Sequence, residues 1–184
     1  LVWLPNLLTL LRIALTPLVV ANILTGHFSW AFFWCFVAGI TDLFDGAVAR
    51  RFGAETRLGM LIDPAADKIL QVSVFIALGL AGAVPFSIVA LVFGRDLVLV
   101  VGAAFFRATG RRITFPPTIW GKLSTVIQIF AAIAILGRFG PPLEPLSVSL
   151  VAVATGFSGL HYAARAITWL KVREVEIDSQ LPQG

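Results

Sequence analysis

Asp42-Leu-Phe-Asp45-Gly46-Ala-Val-Ala49-Arg50, followed after eight residues by Gly59-Met-Leu-Ile-Asp63-Pro-Ala-Ala-Asp67, gathers four of the chain's six aspartates into 26 positions. The surrounding sequence is 58% hydrophobic over 184 residues, with 13% charged residues and a mean hydropathy of +0.92. Carboxylates lose free energy wherever they leave water, so four of them beside apolar segments call for cations. The run therefore poses two questions together, what solvent surrounds the chain and what neutralises the cluster.

The first answer comes from the lengths of the apolar segments. Between Arg12 and Asp42 the ionisable side chains are His27 and Cys35, and 69–94 and 145–160 carry no charge. Such stretches match helices crossing a hydrocarbon core of about 30 Å. Composition thus predicts an all-α integral membrane protein, a bundle of six transmembrane helices, and argues against a soluble domain. Gly, Pro and charge place the helices at 7–24, 29–49, 64–80, 85–107, 121–136 and 147–171, with Pro64 in the first turn of the third, where its missing N–H costs nothing. Positions 1–173 form the membrane domain and 174–184 a polar, frayed C-terminal tail. Residues 1–24 lack a basic leader region, so the first apolar segment is expected to stay in the mature protein. The single Cys35 has no intrachain disulfide partner and is read as lipid-facing or packing.

Charge orients the bundle. Arg50, Arg51 and Arg57 follow the second helix and Arg107, Arg111, Arg112 and Lys122 follow the fourth, whereas the turns at Gly26 and Gly82 have no basic residue and that at Gly140 has only Arg138. The positive-inside rule puts the basic side, both termini and the aspartates at the cytoplasmic face. The formal net charge of +4 suits anionic headgroups and phosphorylated substrates, and no nucleic-acid motif is present.

Asp42 and Asp45 are three apart and Asp63 and Asp67 four apart, so each pair shares one face of a helix. Two facing pairs offer four hard oxygen donors, suited to Mg²⁺ or Mn²⁺, with no His or Cys alongside to favour zinc. Two ions fit if Asp42 or Asp63 bridges them. Gly46 and Ala49 leave space for a ligand, and Arg50 adds a planar fork for phosphate. Carboxylates, metal and arginine together point to a diphosphate substrate and phosphoryl transfer, with Asp67, deepest in its helix, accepting the proton of the attacking hydroxyl. The plain alternative is helix capping with Arg50 and Arg57 as ion-pair partners, and it explains single residues better than the whole set. A divalent-cation transporter using the aspartates is a rival, although such a site belongs near mid-membrane on broken helices and no internal repeat is seen.

The spacing D-x-x-D-G-x-x-A-R, eight residues, G-x-x-x-D-x-x-x-D resembles the signature of the CDP-alcohol phosphatidyltransferases at every position. The resemblance implies a homodimeric six-helix membrane enzyme, expected in a bacterial cell membrane with its active site toward the cytoplasm. Such an enzyme moves a phosphatidyl group from CDP-diacylglycerol to an alcohol and releases CMP. It further implies that Asp42, Asp45 and Asp63 bind a first metal and Asp42, Asp63 and Asp67 a second, that Asp67 is the base, and that Gly46, Ala49, Arg50 and Thr56 contact the donor. Pro5-Asn6-Leu-Leu-Thr9-Leu-Leu-Arg12 is similar to the start of the phosphatidylglycerophosphate synthases and CDP-diacylglycerol-dependent cardiolipin synthases, and Asn6, Thr9 and Arg12 form a polar stripe that would line the donor site.

The acceptor is less marked. Arg95 and Asp96 interrupt an apolar helix, which makes them either a functional pair or a mutually neutralised one. Arg95, Arg107, Arg111, Arg112 and Lys122 are the candidate acceptor ligands. Pro117 to Gln128 is similar to the matching segment of cardiolipin synthases, and the apolar run after Asp96 departs from the phosphatidylglycerophosphate synthases. Phosphatidylglycerol is therefore favoured over glycerol 3-phosphate. His161, Tyr162 and Arg165 are read as interfacial anchors, as are the tryptophans.

Overall fold

A computed structural model describes residues 4–52, 59–108 and 118–178, and the side chains of 9–41, 65–101 and 118–165. The described residues form six helices and no strand: α1 (Leu4–Leu24), α2 (Phe28–Phe52), α3 (Gly59–Leu80), α4 (Phe86–Ala108), α5 (Ile119–Leu136) and α6 (Leu143–Asp178). The six expected helices are all present, and the largest differences from expectation fall at three ends. The third begins at Gly59, so Pro64 is its sixth residue rather than a first-turn proline, and the Met60 carbonyl receives no i→i−4 bond from it. The sixth starts at Leu143 and continues through Glu174, Glu176 and Asp178, because Val-Arg-Glu-Val-Glu is a run that a helix tolerates well. The expected fraying at 174–178 is thus replaced by helix, and 179–184 lie outside the described residues.

Turns at the end remote from the aspartates are set by backbone geometry. After α1, the Gly26 N–H bonds to the Ile23 carbonyl and the His27 N–H to that of Asn22, with Gly26 at φ +77°. After α3 the same pair of bonds runs from Gly82 to Gly79 and from Ala83 to Leu78, with Gly82 at φ +72°. Both are Schellman caps, in which the left-handed residue is glycine because it lacks a Cβ. After α5 that place is taken by Arg138 at φ 48°, whose guanidinium lies 4.4 Å from the centre of the Phe28 ring at the start of α2. The cation–π contact links the α5–α6 turn to α2.

α1 packs on α2 and α3, α5 packs on α6, and α4 joins the two groups by touching α3 and α6, while α2 and α3 meet α5. The shared core is built from Val19 and Ile23 of α1, Phe75 and Leu78 of α3, Val92 of α4 and Ile135 of α5. Outside it the usual polarity of a protein is inverted. Phe33, Phe36, Val98, Val101, Phe130 and Val153 face outward, while Thr9, Arg12, Asp96, Gln128, Thr155 and Ser158 are buried. An aqueous surface does not tolerate so much exposed apolar area, whereas lipid does. Among the described residues, Ile119–Leu136 and Leu143–Arg165 are long and apolar enough to cross a membrane, and Thr9–Leu24 and Phe28–Thr41 form shorter apolar stretches. α3 and α4 carry charges part-way along, Asp67 and Lys68 on one and Arg95 and Asp96 on the other, and among the described residues the six-span expectation meets two clear spans.

Where α4, α5 and α6 converge, Thr118 caps α5 by accepting the Gly121 N–H at 3.1 Å, and its own N–H is donated to the Tyr162 hydroxyl at 3.0 Å. Tyr162 is thus tied to the first turn of α5 instead of serving simply as an interfacial anchor. A Cβ at Gly121 would lie 2.8 Å from the Tyr162 oxygen and 3.1 Å from an Arg95 guanidinium nitrogen. Glycine is needed there for closeness of approach. Gly121→Ala should lower stability by about 1–3 kcal/mol, as overpacking of a close contact does. Thermal unfolding in detergent would show this, and the loss in Gly121→Ala/Tyr162→Phe should be smaller than the sum of the two single losses, because the phenylalanine removes the nearest clashing atom.

Candidate active site

The aspartates divide between two helices. Asp42 and Asp45, with Gly46, Ala49 and Arg50, belong to the last three turns of α2, and Asp63 and Asp67 to the first half of α3. Helical backbone at these positions places the members of each pair one turn apart, as the spacing predicts. The side chains of Asn6, Asp42, Asp45, Ala49, Arg50, Asp63 and Arg107 are outside the described set, and Thr56, Arg111 and Arg112 lie outside the described residues altogether. Asp67 is the signature aspartate whose surroundings are defined.

Asp67 is half exposed and paired with the Arg12 guanidinium of α1, which is itself 1% exposed. An arginine is buried so completely only when its charge is answered, and here the answer is the carboxylate proposed as the base. Thr9 is buried one turn before Arg12, so this part of the N-terminal stripe faces into the bundle and not toward the interface as an anchor would. The stripe therefore reaches the signature directly, through the fourth aspartate.

Below Asp67 a cavity of about 390 Å³ opens between α1, α2, α3 and α5. Arg12, Asp67, Lys68 and Gln71 line it beside Thr125 and Gln128, and the rest of its wall is apolar, including Val74, Phe75, Ile129, Ala132 and Ile133. Cys35 is part of that wall, in agreement with a packing role. Such a space suits an amphiphile with its polar end at Asp67 and its apolar part among the deeper residues.

A line of hydrogen bonds crosses the bundle beside the cavity. Lys68 Nζ donates to Gln71 Oε1 at 3.1 Å and to Asp96 Oδ2 at 2.7 Å. Gln71 Nε2 donates to Gln128 Oε1, and Gln128 Nε2 to Thr155 Oγ1 at 2.8 Å. At the other end Asp96 Oδ1 accepts from Arg95 Nη1 at 2.6 Å, and Arg95 Nη2 donates to the Gly121 carbonyl and to Ser158 Oγ, both at 3.2 Å. Arg95 is 6% exposed and is not part of the cavity wall, so its N–H groups serve to join α4, α5 and α6. Lys122 lies exposed at the start of α5, away from the cavity lining. Sequence reading passed over Lys68 and Gln71. Their signal was present in the polar positions 67, 68 and 71 of α3, three and four apart, and in Ser124 and Gln128 four apart on α5.

The donor chemistry of the four carboxylates fits hard divalent cations. Among the described side chains there is no group of three or more potential ligands, since Asp67 is the one signature aspartate in that set. Replacing the buried amide gives a test of the polar line. Gln128→Leu keeps the volume but strands the Gln71 amide and the Thr155 hydroxyl, and should cost about 1–3 kcal/mol in unfolding. Gln71→Leu/Gln128→Leu should recover part of that loss when both proteins are compared by thermal unfolding.

Comparison with known proteins adds a family to this geometry. Residues 2–170 match the family model described as CDP-alcohol phosphatidyltransferase. The chain is similar to a Mycobacterium tuberculosis protein named "Probable phosphatidylglycerophosphate synthase", with 37% identity over 180 residues that cover 89% of this chain and 81% of the relative. It is also similar to the "Cardiolipin synthase (CMP-forming)" of Rattus norvegicus, at 32% identity over 196 residues covering 91% and 63% of the two chains. With a family model over residues 2–170 and a relative 37% identical that it covers to 81% of its length, the chain belongs to the CDP-alcohol phosphatidyltransferase family and is an enzyme of that class.

Proposed function

We propose that this enzyme transfers the phosphatidyl group of CDP-diacylglycerol to the free hydroxyl of phosphatidylglycerol, releasing CMP. The observation that carries the choice of acceptor is the cavity, polar around Asp67 and apolar from Val74 to Ile133. A hydroxyl borne on a lipid would find both halves of itself matched there, whereas a small polyol phosphate would leave the apolar half unfilled. Family membership removes the ground for reading the aspartates as a cation transporter.

In this reading the bundle lies in a bacterial cell membrane as a homodimer with the signature toward the cytoplasm. Asp42, Asp45, Asp63 and Asp67 would hold two Mg²⁺ or Mn²⁺ ions, which neutralise the diphosphate and the departing CMP. Asn6, Thr9, Gly46, Ala49, Arg50 and Thr56 hold the donor. Arg12 fixes the Asp67 carboxylate at the cavity, and Asp67 takes the proton from the acceptor hydroxyl as the hydroxyl oxygen attacks the phosphorus bearing the diacylglycerol. Arg107, Arg111, Arg112 and Lys122 form a basic rim that draws anionic acceptors to the site.

Glycerol 3-phosphate is the second reading. It is favoured by the higher identity, 37%, to the relative named as a phosphatidylglycerophosphate synthase. Purified enzyme given CDP-diacylglycerol, Mg²⁺, and both acceptors together decides between them. Cardiolipin should be the main product, and formation of phosphatidylglycerophosphate alone would reverse the assignment. Chelation with EDTA should abolish CMP release and added Mg²⁺ or Mn²⁺ restore it. Asp67→Asn should reduce turnover by about a hundredfold or more, in keeping with loss of a general base, and full activity in that variant would remove Asp67 from the role.

A further inference from the structure

Lys68 follows the proposed base directly, lines the same cavity and lies outside the signature. Its neighbour across the α3–α4 contact, Asp96, is shared. One carboxylate oxygen accepts from Arg95 at 2.6 Å and the other from Lys68 at 2.7 Å. A single negative charge thus faces two positive ones, and one unit of positive charge is left over. Arg95 cannot present it, being 6% exposed and engaged with the Gly121 carbonyl and Ser158. Lys68 can, because its side chain is 41% exposed and borders the cavity. An ammonium group has three N–H donors. Two of them go to Asp96 and Gln71, and among the described residues no protein acceptor takes the third.

The position of this donor is chemically informative. The two acceptors considered above share one unit, a hydroxyl on a terminal carbon of glycerol with a phosphate ester on the other terminal carbon. When the hydroxyl is at Asp67, the phosphate lies a three-carbon chain away, within reach of a lysine on the next residue. Gln71 and Asp96 hold the ammonium group from two sides, so little side-chain freedom would be lost when the phosphate binds.

On the basis of the phosphatidyltransfer reading, we propose that Lys68 binds the phosphate of the acceptor alcohol, with Asp96 and Gln71 positioning its ammonium group and Arg95 serving as the counter-cation of Asp96. The phosphate is the diester of phosphatidylglycerol or the monoester of glycerol 3-phosphate. Lys68 thereby makes the site selective for phosphate-bearing alcohols, and the reacting hydroxyl is placed by the phosphate attached to the same glycerol.

Lys68→Met is a usable variant because it leaves Asp96 and Arg95 as a neutral pair. Its KM for each acceptor should rise by at least about tenfold, the size expected when a hydrogen bond to a charged group is lost, while its KM for CDP-diacylglycerol stays within about twofold of wild type. Lys68→Arg should recover part of the acceptor affinity. A rise confined to phosphatidylglycerol or to glycerol 3-phosphate identifies which ester is bound. If Lys68 acted simply to neutralise Asp96, Arg95 would still do so in Lys68→Met and the acceptor KM would be unchanged, a result that would overturn the inference. So would a Lys68→Met enzyme whose donor and acceptor KM values rise together. Wild-type protein that forms no phosphatidyl product from either acceptor would instead overturn the phosphatidyltransfer reading on which the inference stands.

Discussion

Asp96 is one buried carboxylate held by two cations, and the placement of four helices follows from that. It lies on α4, takes Lys68 from α3 on one oxygen and Arg95 on the other, and through Arg95 reaches the Gly121 carbonyl of α5 and Ser158 of α6. In an apolar surround an ionised group without partners is very costly, so the helices that supply those partners are constrained to stay near one another. The close approach at Gly121 and the Thr118–Tyr162 bond belong to the same convergence. Packing alone would leave the rotation of each helix poorly specified. The ionic and hydrogen-bonding requirements select one rotation.

A second buried charge makes the corresponding link on the other side. Arg12 joins α1 to α3 through Asp67, and with it connects the N-terminal stripe to the signature. The two ionic centres sit on successive residues of α3, Asp67 with Arg12 and Lys68 with Asp96. Asp67 and Lys68 both line the cavity, where a substrate would meet a carboxylate and an ammonium group together. The same groups that hold the helices in register are thus the ones a reacting alcohol and its phosphate would touch.

The helices were legible in the sequence because Gly, Pro and charge interrupt apolar runs at intervals that hydrocarbon thickness makes meaningful. The errors fell where local punctuation misleads. Pro64 reads as a helix start, yet α3 begins five residues earlier at Gly59, and the charged 174–178 segment reads as a tail, yet α6 continues through it. The aspartate pairs were legible because helical periodicity converts a spacing of three or four into a shared face. Lys68 and Gln71 were missed because each is an ordinary polar residue until Asp96 and Gln128 are seen beside it.

By itself, the sequence determined the solvent and the chemistry: apolar segments too long for a soluble domain, and a carboxylate signature whose residue types suit divalent metal and diphosphate. These are properties of composition and local spacing, so no long-range contact is needed to read them. Which partner each buried charge takes was decided by tertiary structure alone. Arg12 is 55 residues from Asp67 and Lys68 is 28 from Asp96, separations that no helical period relates. The adjacent pair Arg95 and Asp96 shows the same limit. Sequence could leave it as either a ligand or a neutral pair, and it took the third helix, bringing Lys68 to the free side of Asp96, to place the surplus charge at the cavity.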